Sequence, residues 1–205
     1  MDDQKFLQHI FNGYASCFHK GFWHTSSNYS DMTTADLNFF STLGQSLGFR
    51  VRREMNWQYP RDLCWCQTNE TKSDFDANTL LYLERENKDG RVGDTIEKML
   101  NPINAPLVPY LVALFGWVKP STLSKAKKQI SSSLLPNQSF LLISWVGDNQ
   151  NGDNWILEGW CLSGQKATTR KVDTRIDENG HWYAVAQLSN VWLASGADEA
   201  CENSE

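Results

Sequence analysis

The segment LVPYLVALFGW, residues 107–117, is the most continuous apolar run in the chain. A strand with one wet face alternates apolar and polar residues, so an unbroken run of this kind asks for cover on both faces, as in the middle of a helix-covered sheet. Pro109 lacks a backbone donor, so regular pairing is expected to begin near Tyr110.

The rest of the chain supplies the helices and strands such a run needs. Phe6, Ile10, Phe11, Tyr14 and Phe18 recur at helical spacing within residues 3–18. The following stretch HTSSNYSDMTT reads as a turn. Thr33 or Thr34 then caps a second helix, with Asp36 in its first turn, Leu37, Phe40, Leu43 and Leu47 on one face, and Gly48 as its stop. FRVRREMNW alternates as a first strand, and DLCWCQ is a short second strand opening just after Pro60-Arg61. A third strand runs from Thr79 to about Asn87, followed by a helix from about Val92 to Leu100. Another helix starts at Ser121, with Leu123, Ala126, Ile130 and Leu134 inward.

SFLLISWVG is a strand, and the turns DNQNGDN, LSGQ and DENG separate aromatic-rich strand candidates beyond it. These patterns predict an α/β fold: residues 1–135 form a core of N-terminal helix, helix, three-strand meander, helix and strand. Residues 136–190 form an antiparallel β extension packed on that core. Residues 191–205 form an acidic tail with the composition of a disordered segment.

A net charge of −5 argues against non-specific coating of nucleic acid, which is driven by phosphate neutralisation, although a local basic patch stays compatible with it. Five cysteines, an odd number without framework spacing, read as reduced thiols of a cytoplasmic protein. The start MDDQKFLQHIF lacks the basic and apolar regions of a signal peptide, and no later stretch has the length of a membrane span, so no membrane partner is expected.

The chemistry concentrates in LLYLERENKDGR, residues 80–91, which changes from apolar to charged halfway along. On a strand, Leu80, Tyr82, Glu84, Glu86 and Lys88 share one face, and Leu81, Leu83, Arg85 and Asn87 the other. Glu84 and Lys88 would also suit an exposed helical pair, but the bounding Asn78-Thr79 and Asp89-Gly90 favour a strand. Carboxylates this close repel unless one is protonated or a cation stabilises both.

An antiparallel hairpin of the second and third strands brings in Asp62. Opposite Glu84 it centres the loop at residue 73, and opposite Glu86 at residue 74, both inside TKSDFD. Oxygen clusters of this sort suit Mg2+ or Mn2+, hard cations that also take phosphate oxygens.

Pro60-Arg61-Asp62 followed by Glu86-Asn87-Lys88, set on the second and third strands of this element series, resembles the PD-(D/E)XK nuclease superfamily, the restriction-endonuclease-like fold, over about residues 33–117. The resemblance implies a metal-dependent nuclease that hydrolyses DNA phosphodiester bonds. Asp62 and Glu86 would bind the metal and Lys88 would assist the attacking water. A second frame, Glu84-Arg85-Glu86, is equally legible and makes Glu84 a ligand; Glu54 or Asp36 is the candidate auxiliary acid. Arg52, Arg61, Arg85 and Arg91 are the candidate nucleic-acid contacts. DNA is the expected substrate, with a protein partner or a second copy of the chain in a homodimer as further candidates. The competing expectation is a catalytically inactive scaffold of the same fold that binds a protein or nucleic acid.

Overall fold

The computed structural model describes residues 2–17, 29–55, 61–67, 78–101, 108–147, 155–176, 178, 182–185 and 191–194, apart from the side chains of 29–31, 54, 55, 61, 176 and 182. Among the described residues, four helices and nine strands follow one another as α1 (Asp3–Cys17), α2 (Tyr29–Ser46), β1 (Arg50–Met55), β2 (Arg61–Cys66), β3 (Thr79–Glu86), a 3-10 turn (Asp89–Arg91), α3 (Val92–Leu100), β4 (Tyr110–Val118), α4 (Pro120–Ser133), β5 (Ser139–Val146), β6 (Ile156–Ser163), β7 (Lys166–Ile176), β8 (Trp182–Ala184) and β9 (Leu193–Ala194). The chain is an α/β protein built on one open mixed sheet. Its strands lie in chain order from β1 to β8, and β9 pairs with β7. The β1–β2 and β2–β3 pairs are antiparallel, β3, β4 and β5 run parallel, and β5 to β8 are antiparallel again.

Two apolar layers explain the continuous run in β4. Val112 and Leu114 face a core shared with Phe11 and Tyr14 of α1 and Leu37 and Phe40 of α2. Leu111, Ala113 and Phe115 face a second core, under Ile96 and Met99 of α3 and Leu123, Ala126 and Ile130 of α4. Parallel neighbours need crossover connections, and α3 and α4 are those connections, which puts both on one face of the sheet. Two glycines let helices approach the other face closely. A Cβ at Gly44 of α2 would lie 2.5 Å from the indole of Trp65, and one at Gly159 of β6 would lie 2.5 Å from the ring of Phe11.

Gly48 stops α2 as expected, at a φ of +86°. The Gly48 N–H donates to Gln45 O and the Phe49 N–H to Gly44 O, closing the helix with a left-handed glycine. Its start differs from expectation. Tyr29–Thr34 is helical rather than turn-like, because a first turn needs no apolar stripe and its polar letters resemble a loop. Beyond residue 136 the chain extends the same sheet, through β5 paired with β4. Residues 193–194 are also a strand rather than tail, since Trp192 packs edge-on against Phe11 and its indole donates to Asn12 Oδ1. No helix among the described residues is long and apolar enough to cross a membrane.

Candidate functional site

β2 and β3 pair with Leu63 opposite Leu83 and Cys64 opposite Tyr82. Carried one residue further, that register sets Asp62 opposite Glu84, the closer of the two pairings open to the sequence. Between β1 and β2, Arg53 pairs with Leu63 and Met55 with Arg61, which puts Glu54 at the register position opposite Asp62. Continued past its last pairs, the register of the three strands sets positions 54, 62 and 84 in one row. Cys64 and Tyr82 belong to the core beneath α3 and α4, so by strand alternation Asp62 and Glu84 share that face.

Glu84 is almost fully buried, at 5% exposure. Tyr82 Oη donates to its Oε1, and Lys98 Nζ of α3 lies 2.8 Å from its Oε2. Burial first, and the charge of Asp62 second, push the Glu84 carboxyl up to about 7, against the pull of Lys98 and Tyr82. Asp62 is half-buried and accepts the Arg85 main-chain N–H on Oδ2 at 2.7 Å. Burial raises its pKa as well; the Arg85 N–H and Lys98 oppose that rise, and Glu86 adds to it.

Glu86 turns back on its own chain, where Oε1 accepts the N–H groups of Asn87 at 2.8 Å and Lys88 at 2.9 Å. Lys88 is exposed and stands just before the 3-10 turn. The lysine that meets the carboxylates is thus Lys98, which strand-based reasoning missed. Its signal was available: α3 must fold back over β3, and Lys98 flanks the buried residues Thr95 and Met99 on that helix.

The other expected residues divide. Asp36 lies across the sheet from this cluster, accepting Tyr14 Oη and Arg85 Nε at 2.8 Å each. It does not join Asp62 and Glu84, because Arg85 points to the α1–α2 face and draws the buried carboxylate there. The same ion pair corrects the expectation that Arg85 contacts nucleic acid, since its side chain is 1% exposed. Arg91 is exposed and Arg52 half-buried. The side chains of Glu54 and Arg61 lie outside the described residues. Trp145 and Trp160 are core residues.

The donor set suits a hard divalent cation. Two carboxylates face each other, each held above its ordinary range by burial, and the second charge adds to the rise at Glu84. Among the described residues nothing donates to Asp62 Oδ1 or Glu86 Oε2, and no three Asp, Glu, His or Cys side chains are already gathered around one point. Asp62 and Glu84 fit as ligands, with the Lys98 ammonium standing as the local cation.

The raised Glu84 carboxyl has a measurable consequence. A folded pKa above the unfolded value means that the native state holds the proton more tightly, so this group's stability contribution is full below pH 4.5 and is lost as pH rises to about 7. The stability advantage of wild type over Glu84→Gln should therefore shrink from pH 4.5 to 7 in metal-free denaturation curves. A constant difference would contradict the burial assigned to Glu84.

No family model, no curated protein and no solved structure matches this chain.

Proposed function

We propose that the protein is a metal-dependent, nuclease-like hydrolase of DNA phosphodiester bonds, with a restriction-endonuclease-like core spanning α2 to β4. The observation that carries this reading is the meeting of Asp62, Glu84 and Lys98 across two antiparallel strands and the helix that follows them. The order helix, three antiparallel strands, crossover helix, parallel strand around them supports the core. Asp62 and Glu84 hold Mg2+ or Mn2+, with Glu54 in the same register row and Glu86 beside it as the further acids. When bound, such an ion polarises a phosphate oxygen and makes a coordinated water more acidic.

The chain's own groups divide the remaining work. Tyr82 keeps Glu84 Oε1 turned inward, while the Lys98 ammonium at Glu84 supplies positive charge to a phosphate oxygen. In this reading Lys88, Arg52 and Arg91 are the contacts to neighbouring phosphates of a DNA strand. A second reading, an inactive scaffold that binds a protein or nucleic acid, is favoured by one observation: no three metal-binding side chains are gathered among the described residues.

Linear, nicked and single-stranded DNA incubated with the protein and Mn2+ separate the two. Cleavage supports the enzyme, whereas intact DNA together with no calorimetric Mn2+ signal leaves the scaffold. The lysines give a sharper test. Lys98→Met should lower kcat about a hundredfold, the scale of removing one preorganised charge-stabilising donor, and Lys88→Met should leave it near wild type. The reverse ranking would return the lysine role to Lys88.

A further inference from the structure

We propose that Arg85 is the positioning residue of this centre and sets its choice of cation; the proposal rests on Asp62 and Glu84 being the cation's ligands. Arg85 stands between Glu84 and Glu86 on β3 and faces the other way. The β2–β3 ladder ends at Leu63 opposite Leu83, whereas the β3–β4 ladder continues to Glu86 opposite Phe115. Among the described residues, 84–86 are therefore paired as a strand on the β4 side only. On the β2 side, beyond the last described pair, the Arg85 N–H donates to Asp62 Oδ2 at 2.7 Å.

The Arg85 side chain fixes the same segment from the opposite face. Its Nε donates to Asp36 Oδ2 at 2.8 Å, its Nη1 donates to the Glu86 carbonyl at 2.9 Å, and Tyr14 Oη holds the other oxygen of Asp36. One residue thus grips a ligand carboxylate through its main chain and locks the strand end carrying two further carboxylates through its guanidinium. Gly116 on β4 leaves the space this needs, since a Cβ there would lie 3.3 Å from Arg85 Nη1 and 3.2 Å from Asn87 Oδ1.

Rigidity of this kind acts on selectivity. Mg2+ and Mn2+ suit a small set of oxygens held at fixed positions, while Ca2+ accepts longer and less regular coordination. A clamped carboxylate pair favours the smaller ions, and slackening it costs them more than it costs Ca2+. A purely structural role for Arg85 would change stability and leave the Mn2+ to Ca2+ preference alone.

The test is calorimetric titration of the full chain with Mn2+ and with Ca2+, with melting followed in parallel. In the double variant Asp36→Leu, Arg85→Met the buried ion pair is replaced by apolar side chains, a change that folded proteins tolerate. We expect a melting temperature near wild type, about tenfold weaker Mn2+ binding and a smaller change for Ca2+, so that the preference falls. Unchanged constants for both ions in the double variant, with Asp62→Ala losing Mn2+, would overturn the clamp while sparing the ligands. Absence of Mn2+ binding by wild type would remove the ligand assignment and the clamp with it. Should the double variant not fold, Gly116→Ala presses on Arg85 Nη1 without removing a charge. The same fall in preference is expected, and an unchanged ratio overturns the proposal.

Discussion

Asp62→Asn and Glu84→Gln are each expected to abolish Mn2+-dependent DNA cleavage without unfolding the protein. Each change leaves one charged ligand of the facing pair. Charge stabilisation by a bound divalent ion amounts to several kcal/mol, so losing it should slow cleavage on the order of a thousandfold. The amides separate chemistry from folding. An asparagine oxygen still accepts the Arg85 N–H, and glutamine at 84 relieves the burial of a carboxylate whose pKa is already pushed up to about 7. Near neutral pH the Glu84→Gln protein should melt at or above the wild-type temperature while losing activity. Rates for both variants within a few-fold of wild type would sink the assignment of Asp62 and Glu84, whatever their melting curves showed.

Asp36→Ala should be the most damaging single substitution on the opposite face. It takes the counter-charge from the buried Arg85 guanidinium and the Asp36 acceptor from the Tyr14 hydroxyl, and removing one partner of a buried ion pair costs about 3–5 kcal/mol. For a chain of this size that corresponds to a fall in melting temperature on the order of 10 °C. Adding Arg85→Met to an apolar replacement at 36 should recover most of the loss, because the penalty comes from the unpaired charge. A thermal melt of Asp36→Ala that coincides with wild type would mean that the pair is not buried in solution.

The types and order of the elements were legible because they rest on local patterns. The apolar run of β4 needed both faces covered, and the bounds of α3, from Val92 to Leu100, followed from its periodicity and the prolines beyond it. The site was legible only to the extent that it is local. Alternation along β3 put Glu84 and Glu86 on one face, but which of them meets Asp62 depends on a register set across a long loop. Lys98 and Asp36 show the same limit from either side: both come from helices, and a helix offers its partner to a strand only through tertiary packing. Arg85 looked like a phosphate contact because a sequence shows a charge without showing which face it takes.

α1 packs on strands made from the far end of the chain. Phe11 rests over Gly159, and Gln4 and Gln8 both reach the Thr168 hydroxyl. α1 therefore has no complete seat until β6 and β7 have been synthesised. Part of the apolar face of α1 stays uncovered until then, and the core on that side closes through contacts between residues far apart in sequence. Such distant contacts pay their loop-closure entropy before they return any stability. Folding of this protein should accordingly be slow, and sensitive to anything that delays or shortens its last third.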